Sequence, residues 1–254
     1  MQLFHNPGTL WYAFDWDGDR WGVGMRVLTL GDRKDIARIH RVASGAEWAQ
    51  VELRETLARA FVELNAKVPP DGRTWAEELE RAPETLIEVV ADVYREVRAA
   101  TVTPPDRPED IEAAHADLAR YLGEQPALLT EESGDELFGA LAPIPRYLWW
   151  AGRFYLVHFH VLTLEERRLI ARFLGLPHVQ ADQKPLLELQ HTLARAVHAV
   201  DQARVDSVIG EGLGARMDWV EDMPESLTAA LAREYQEARK APRGALYGML
   251  ADPK

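Results

Sequence analysis

There is no cysteine among the 254 residues. That absence excludes disulfides, thiolate zinc sites, iron–sulfur clusters and cysteine nucleophiles together. Long apolar runs are also missing. A membrane-spanning helix needs roughly 18 consecutive apolar residues, and the most apolar stretch, 147–164, is broken by Arg153, His158 and His160. Residues 1–7 show no cationic region followed by an apolar one, so no secretory leader is expected and a cytoplasmic protein is the default. Positive charge is scarce: 29 Lys and Arg stand against 41 Asp and Glu, a formal charge of −12. Affinity for nucleic acid comes largely from Lys/Arg contacts to phosphate. The basic spots here (Arg33/Lys34, Arg167/Arg168, Arg239/Lys240/Arg243) are short and mixed with acids, so neither nucleic acid nor membrane is an expected partner.

What is present is a repeat. Val27-Leu28-Thr29-Leu30 recurs as Val161-Leu162-Thr163-Leu164, an offset of 134. At that offset 3–39 and 137–173 share 13 identities in 37 ungapped positions, among them Trp16/Trp150, Gly18/Gly152 and Arg33/Arg167. Further on, Thr56-Leu57-Ala58-Arg59-Ala60 returns as Thr192-Leu193-Ala194-Arg195-Ala196 at offset 136. Pro83-Glu84-Thr85-Leu86 returns as Pro224-Glu225-Ser226-Leu227 at offset 141, where Tyr94 meets Tyr235. Ordered, collinear matches of this kind mark an internal duplication.

Each unit reads as a β-hairpin followed by about three helices, an α+β fold class. Alternation from Trp11 to Trp16 predicts a strand, Asp17-Gly18 a tight turn that tolerates positive φ, and 21–30 a second strand. Thr29 or Asp32 would cap the next helix, and Thr163 with Glu166 forms a capping box. Apolar spacing predicts a helix over 48–64, with its counterpart at about 185–205. A proline-started helix over 83–98, and again over 224–239, closes each unit. The expected organisation is a first hairpin-helical unit (1–100), a Pro-rich linker and helix (101–136), a second unit (137–241) and an extended C-terminal arm (242–254).

Candidate chemistry is sparse. His158 and His160 lie two apart, so on a regular strand both would face one way and could hold a metal with Glu165 or His178. Their counterparts Gly24 and Arg26 share no ligand pattern, which favours an ordinary polar strand face. His191 and His198, seven apart on a helix, read as polar helix positions. Asp15, Asp17 and Asp19 imitate a calcium loop, yet the glutamate such a loop needs is replaced by Arg26. The acid pairs Glu77-Glu78, Glu131-Glu132 and Asp135-Glu136 have no partner fixed around them. Gly210-Glu211-Gly212-Leu213-Gly214 follows a helix and lacks the Lys-Ser/Thr of a phosphate loop. The aromatic residues carry more. Trp11, Phe14, Trp16 and Trp21 crowd one hairpin and Trp149, Trp150, Phe154 and Tyr155 the other; these eight are the candidate partner-binding residues, with packing of the two units together as the competing role.

The segment 11–33, with Trp-Tyr-Ala-Phe-Asp-Trp-Asp-Gly-Asp-Arg-Trp leading to Arg-Val-Leu-Thr-Leu-Gly-Asp-Arg, resembles the tail assembly chaperones and baseplate-hub assembly proteins of tailed phages. In that family a strand pair ends in leucine-threonine before an acidic helix start, and a helical segment follows, as here through Arg98. The resemblance covers one unit and, more faintly, its copy; this chain departs from the family in being duplicated and longer. It implies a non-enzymatic protein with no cofactor and no catalytic residues to transfer. Its expected partners are tail or hub components, helix-rich ones such as a tape measure included, or further copies of itself. The implied location is the host cytoplasm during assembly, or the virion tail. The competing expectation is a metal-dependent enzyme built around His158 and His160, with its site between the units; a regulator or toxin-neutralising protein is a third.

Overall fold

The computed structural model describes residues 3–39, 48–70, 72–104 and 143–250, with a few positions of 109–120, and side chains only as far as 240. Two compact units account for it. The N-terminal unit comprises 6–103 together with 222–226; the C-terminal unit comprises 1–5, 104–221 and 227 onward.

In the N-terminal unit, β1 (Leu10–Trp16) and β2 (Asp19–Met25) form an antiparallel hairpin, with Phe14 opposite Trp21 and Trp11 opposite Gly24. Asp17 and Gly18 both take positive φ, 52° and 80°, as a two-residue primed turn requires. Helices α1 (Leu30–Ile39) and α2 (Trp48–Ala60) follow. The chain then changes state without a loop: Phe61–Leu64 is not the end of a helix but a third strand, β3, paired antiparallel to β2. Helices α3 (Trp75–Glu80) and α4 (Glu84–Val102) complete the unit.

The C-terminal unit repeats this order. Strands β4 (Ile144–Trp150) and β5 (Arg153–Phe159) pair; α5 (Leu164–Leu174) and α6 (Lys184–Ala196) follow; β6 (Val197–Val200) returns directly to β5. A short β7 (Ala203–Arg204), α7 (Val205–Ile209), α8 (Leu213–Glu221) and α9 (Glu225–Leu250) complete the order. The α+β class and the duplication are therefore both visible, but each repeat carries an extra strand where helix was expected. The backbone of 242–250 continues α9 rather than forming an extended arm. The linker helix expected within 101–136 falls largely outside the described residues.

The extra strand is set by partners distant in the sequence. Two backbone carbonyls at the ends of α2 and α6 accept from the residue just beyond the hairpin: Arg26 N–H donates to Ala60 O at 2.8 Å, and His160 N–H to Ala196 O at 2.7 Å. Five residues on, Asn65 (φ 49°) and Asp201 (φ 47°) turn the chain in the left-handed region that Asn and Asp tolerate. Their side-chain oxygens accept from Gly22 N–H at 2.7 Å and Leu156 N–H at 2.8 Å. A strand here satisfies a row of β2 or β5 backbone groups that a longer helix would leave unpaired. Both sheets also shift register at the same place, between Gly24 and Met25 and between His158 and Phe159.

The two cores match residue for residue. Val23, Met25, Leu57, Ala60, Phe61, Leu86, Val90, Tyr94 and Val97 are buried in the first unit. Val157, Phe159, Leu193, Ala196, Val197, Leu227, Leu231, Tyr235 and Ala238 are buried at the corresponding positions of the second. Each tyrosine hydroxyl accepts an equivalent backbone N–H, Leu28 to Tyr94 at 3.2 Å and Leu162 to Tyr235 at 3.3 Å. Volume is traded between Met25 and Phe159, and between Phe61 and Val197, as close packing demands.

Candidate functional site

The aromatic residues divide by burial. Phe14 packs in the core of the N-terminal unit. Trp150 is fully buried in the C-terminal unit and donates its indole N–H to His5 O at 2.7 Å. Tyr155 is buried beside Phe4, with ring centroids 5.1 Å apart, and its hydroxyl accepts from His5 N–H at 2.9 Å. These three hold their own unit together and offer no surface. Trp149 and Phe154 pair edge-on across the β4–β5 hairpin at 5.1 Å, half-buried. Trp11 is exposed, with its ring over Gly24, where a Cβ would come within 2.9 Å of it.

Trp16 and Trp21 take part in something else. They meet edge-to-face at 5.4 Å, and Trp16 donates its indole N–H to Thr85 Oγ1 at 3.3 Å. Together they form one wall of a groove in the N-terminal unit with a volume of about 560 Å³. Its other walls come from β3 and the segment after it (Phe61, Leu64, Val68, Pro69), from α3 (Trp75, Leu79) and from the start of α4 (Leu86, Ile87). Phe61 and Trp75 stack at 4.9 Å, which fixes α3 against the sheet. That helix is only six residues long, so its position depends on a full capping box: Glu77 N–H donates to Thr74 Oγ1, and Thr74 N–H donates back to Glu77. Lys67, Glu78 and Arg81 supply charge among the lining residues. A mostly apolar trough with a few charges is suited to an amphipathic segment or an apolar small molecule.

A second feature of the N-terminal unit is a buried carboxylate held by a cluster of donors. Glu225, buried to 9% exposure, lies in the N-terminal unit within the segment 222–226. Arg33 grips its carboxylate with two nitrogens, Nε to Oε2 and Nη2 to Oε1, while Nη1 donates to Thr56 Oγ1 at 3.0 Å. Tyr94 donates its hydroxyl to Oε1 at 3.1 Å, and Arg98 Nε lies 2.8 Å from the same oxygen. Burial pushes the Tyr94 hydroxyl well above its ordinary pKa, and the charge on Glu225 pushes it further. Burial alone would lower Arg33; the hydrogen bond and charge of Glu225 overrule it and hold the guanidinium above its usual value. The segment is also stitched by backbone: Leu30 N–H donates to Met223 O at 2.9 Å, and Glu225 N–H to Leu28 O at 2.7 Å. This is a carboxylate latch, a bidentate fork plus a phenol.

The histidines do not assemble. Strand β5 ends at Phe159, so His158 lies in the strand and His160 just beyond it; the register shift beside them skips His198 on β6. His158 keeps a buried ring nitrogen, and burial, then the nearby His198, lowers its pKa. His160 instead meets Glu166 at 3.3 Å, the acid of the Thr163 capping box. His191 stacks near Phe173 and contacts Arg195. Among the described residues no group of three or more His, Asp or Glu side chains could hold a metal ion. Asp17 sits in the hairpin turn, Glu77 caps α3, and 131–136 lie outside the described residues. Among them, too, no helix is long and apolar enough to cross a membrane.

Trp75 carries no local signal, for it sits alone after turn residues rather than in the aromatic hairpins. The Pro-Glu pairs were visible as repeats, but nothing in their spacing identified one glutamate as the ligand of Arg33. The chain matches no protein-family model, no curated protein and no solved structure.

Proposed function

We propose that this is a non-enzymatic binding protein that takes part in assembly, and that it engages an apolar or amphipathic helical segment through the aromatic groove of its N-terminal unit. The observation that carries the reading is the groove itself: three tryptophans and a phenylalanine around about 560 Å³, held open by short, capped elements instead of being filled by the protein's own side chains. Tryptophan supplies large contact area at little conformational cost and dominates many interface centres. The resemblance of residues 11–33 to phage tail assembly proteins supports a helix-rich tail or hub component as the partner class, met in the host cytoplasm or the virion tail. The acidic surface suits a basic partner.

The test is co-expression with candidate tail components, followed by size-exclusion chromatography with light scattering. A complex of defined stoichiometry is expected, weakened at least ~10-fold by Trp21→Ala or Ile87→Asp, since each removes an anchor from the groove centre. The exposed Trp11→Ala serves as the comparison and should bind normally. A complex indifferent to the groove variants, or no complex with any tail component, would refute the reading.

A further inference from the structure

The duplication makes a comparison possible inside one molecule: the latch of the N-terminal unit has a counterpart in the C-terminal unit, and there the carboxylate is missing. Arg33 corresponds to Arg167, Thr56 to Thr192, Tyr94 to Tyr235 and Arg98 to Arg239. The geometry repeats. Arg167 Nη2 reaches the Tyr235 hydroxyl at 3.3 Å, as the Arg33 fork meets the Tyr94–Glu225 pair. Arg239 lies 5.9 Å over the Tyr235 ring, as Arg98 lies 6.0 Å over Tyr94. Where Arg33 grips Glu225, Arg167 has no acid within ion-pair distance among the described residues; it faces a cavity of about 380 Å³ that Thr192, Lys184 and Glu188 also line. Glu188 does not fill the role, for its counterpart Glu52 is present beside the occupied latch as well, 3.9 Å from Arg33.

The backbone and the apolar seat agree. In the occupied latch, Leu30 is covered and only 1% exposed; its counterpart Leu164 is 66% exposed. The Leu30 N–H and Leu28 carbonyl are both used by 223–225, whereas no such strand-like partner meets Leu164 and Leu162 among the described residues. The C-terminal unit thus presents a guanidinium fork, a phenol, two free backbone positions and an uncovered leucine, all arranged as they are where a Met-Pro-Glu-Ser segment is bound.

From this we infer that the Arg167 site receives the start of a helix bearing a glutamate just after a proline, and that its occupant is residues 82–86 of a second copy of the chain. Ala82-Pro83-Glu84-Thr85-Leu86 is the repeat counterpart of Met223-Pro224-Glu225-Ser226-Leu227, and Pro83 and Glu84 are exposed at the start of α4. The N-terminal unit of one molecule therefore supplies to the C-terminal unit of another the ligand that 222–226 already supplies to Arg33. Each chain carries one donor and one acceptor, so the contact is heterologous and closes a ring or extends as a filament.

Light scattering of the full chain across a wide concentration range tests this directly, with sedimentation to size the products. Self-association is expected in the micromolar range for so small a contact. Arg167→Met and Glu84→Gln should each weaken it at least ~10-fold, as loss of a charge-assisted pair predicts. The exposed neighbour Arg168→Met should leave it unchanged. The reciprocal chain Arg167→Glu with Glu84→Arg should recover association that either single change loses, which a folding defect cannot imitate. Far-ultraviolet circular dichroism checks that each variant is folded. A chain that stays monomeric up to near-millimolar concentration overturns the inference. So does association that is insensitive to Arg167 and Glu84. Binding of an isolated 82–90 peptide to a chain that never self-associates overturns the assignment of the occupant to a second copy. Segment 82–86 also borders the aromatic groove, so Arg167→Met, which lies outside that groove, is the variant that separates the two proposals: it should abolish self-association and leave capture of a helical partner intact.

Discussion

The occupied and unoccupied latches make opposite predictions for the same substitution. Arg33→Met leaves Glu225 at 9% exposure without its fork, with Tyr94 and the half-exposed Arg98 still beside its charge. Removing one partner of a buried pair costs about 3–5 kcal/mol when nothing else compensates. Arg98 and Tyr94 recover part of that, so we expect about 2–3 kcal/mol, in line with about 1.5–3 kcal/mol for a hydrogen bond to a charged group. Arg167→Met removes one 3.3 Å contact to a neutral hydroxyl from a guanidinium that still reaches solvent, and should cost about 0.5 kcal/mol or less. Urea unfolding of each variant gives the global cost; for a slope of about 1–2 kcal/mol per molar, Arg33→Met should lower the midpoint by at least ~1 M and Arg167→Met by much less. Hydrogen exchange localises the effect: the amides of Leu30 and Glu225, which bridge 28–30 and 223–225, should lose protection in Arg33→Met. A cycle with Glu225→Gln isolates the pair, and the double variant should cost clearly less than the sum of the singles. Equal costs at Arg33 and Arg167, or strict additivity of Arg33→Met with Glu225→Gln, would refute the reasoning. The measurements are made at a dilution where the chain is monomeric.

Other consequences are smaller and independent. Ala151 holds φ 47° at the β4–β5 turn where its counterpart is Asp17, so Ala151→Gly should stabilise by about 0.5–1 kcal/mol in urea melts; destabilisation would mean the turn is not left-handed. Trp150→Phe loses the indole bond to His5 O inside a filled core and should cost about 2–3 kcal/mol, with 3–5 becoming protease-sensitive; an unchanged melt would show that this segment is not anchored there. His158 and His198 are both depressed below 6.5, burial being the first cause in each, so the folded state prefers them neutral. Their contribution is fully present above the unfolded pKa and is lost as pH falls below about 6.5 and through the folded values. Stability should therefore drop over that window, and the His158→Gln, His198→Gln double variant should flatten the slope. Asp32 and Glu166 are depressed despite burial, Asp32 by Arg26 and Thr29, Glu166 by Thr163 and His160. Their loss appears only below the ordinary carboxylate range, so a pH series of melts separates the two windows.

The repeat, the hairpins, their primed turns and the capped helix starts were all readable in the sequence, because each depends on residues close together in the chain: Asp17-Gly18 for the turn, Thr163 and Glu166 for the cap. The duplication needed no structure at all, since identity at offsets of 134, 136 and 141 is a property of the string. Local reasoning failed where a distant partner decided the outcome. Phe61–Leu64 continues a helical spacing, but the open edge of β2 and the Asn65 side chain turn it into a strand. Phe14, Trp150 and Tyr155 looked equivalent to Trp16 and Trp21, and only packing separated the buried from the groove-lining, because alternation predicts a face but not what covers it. The histidine pair would share a face in a strand long enough to hold both, but β5 ends at Phe159 and His160 meets Glu166 instead. The latch is the clearest case. Pro83-Glu84 and Pro224-Glu225 are nearly the same words, yet one glutamate is exposed and the other is gripped by Arg33, 192 residues away. Sequence can show that two segments are alike; which of them meets its receptor is decided by the path of the chain through space.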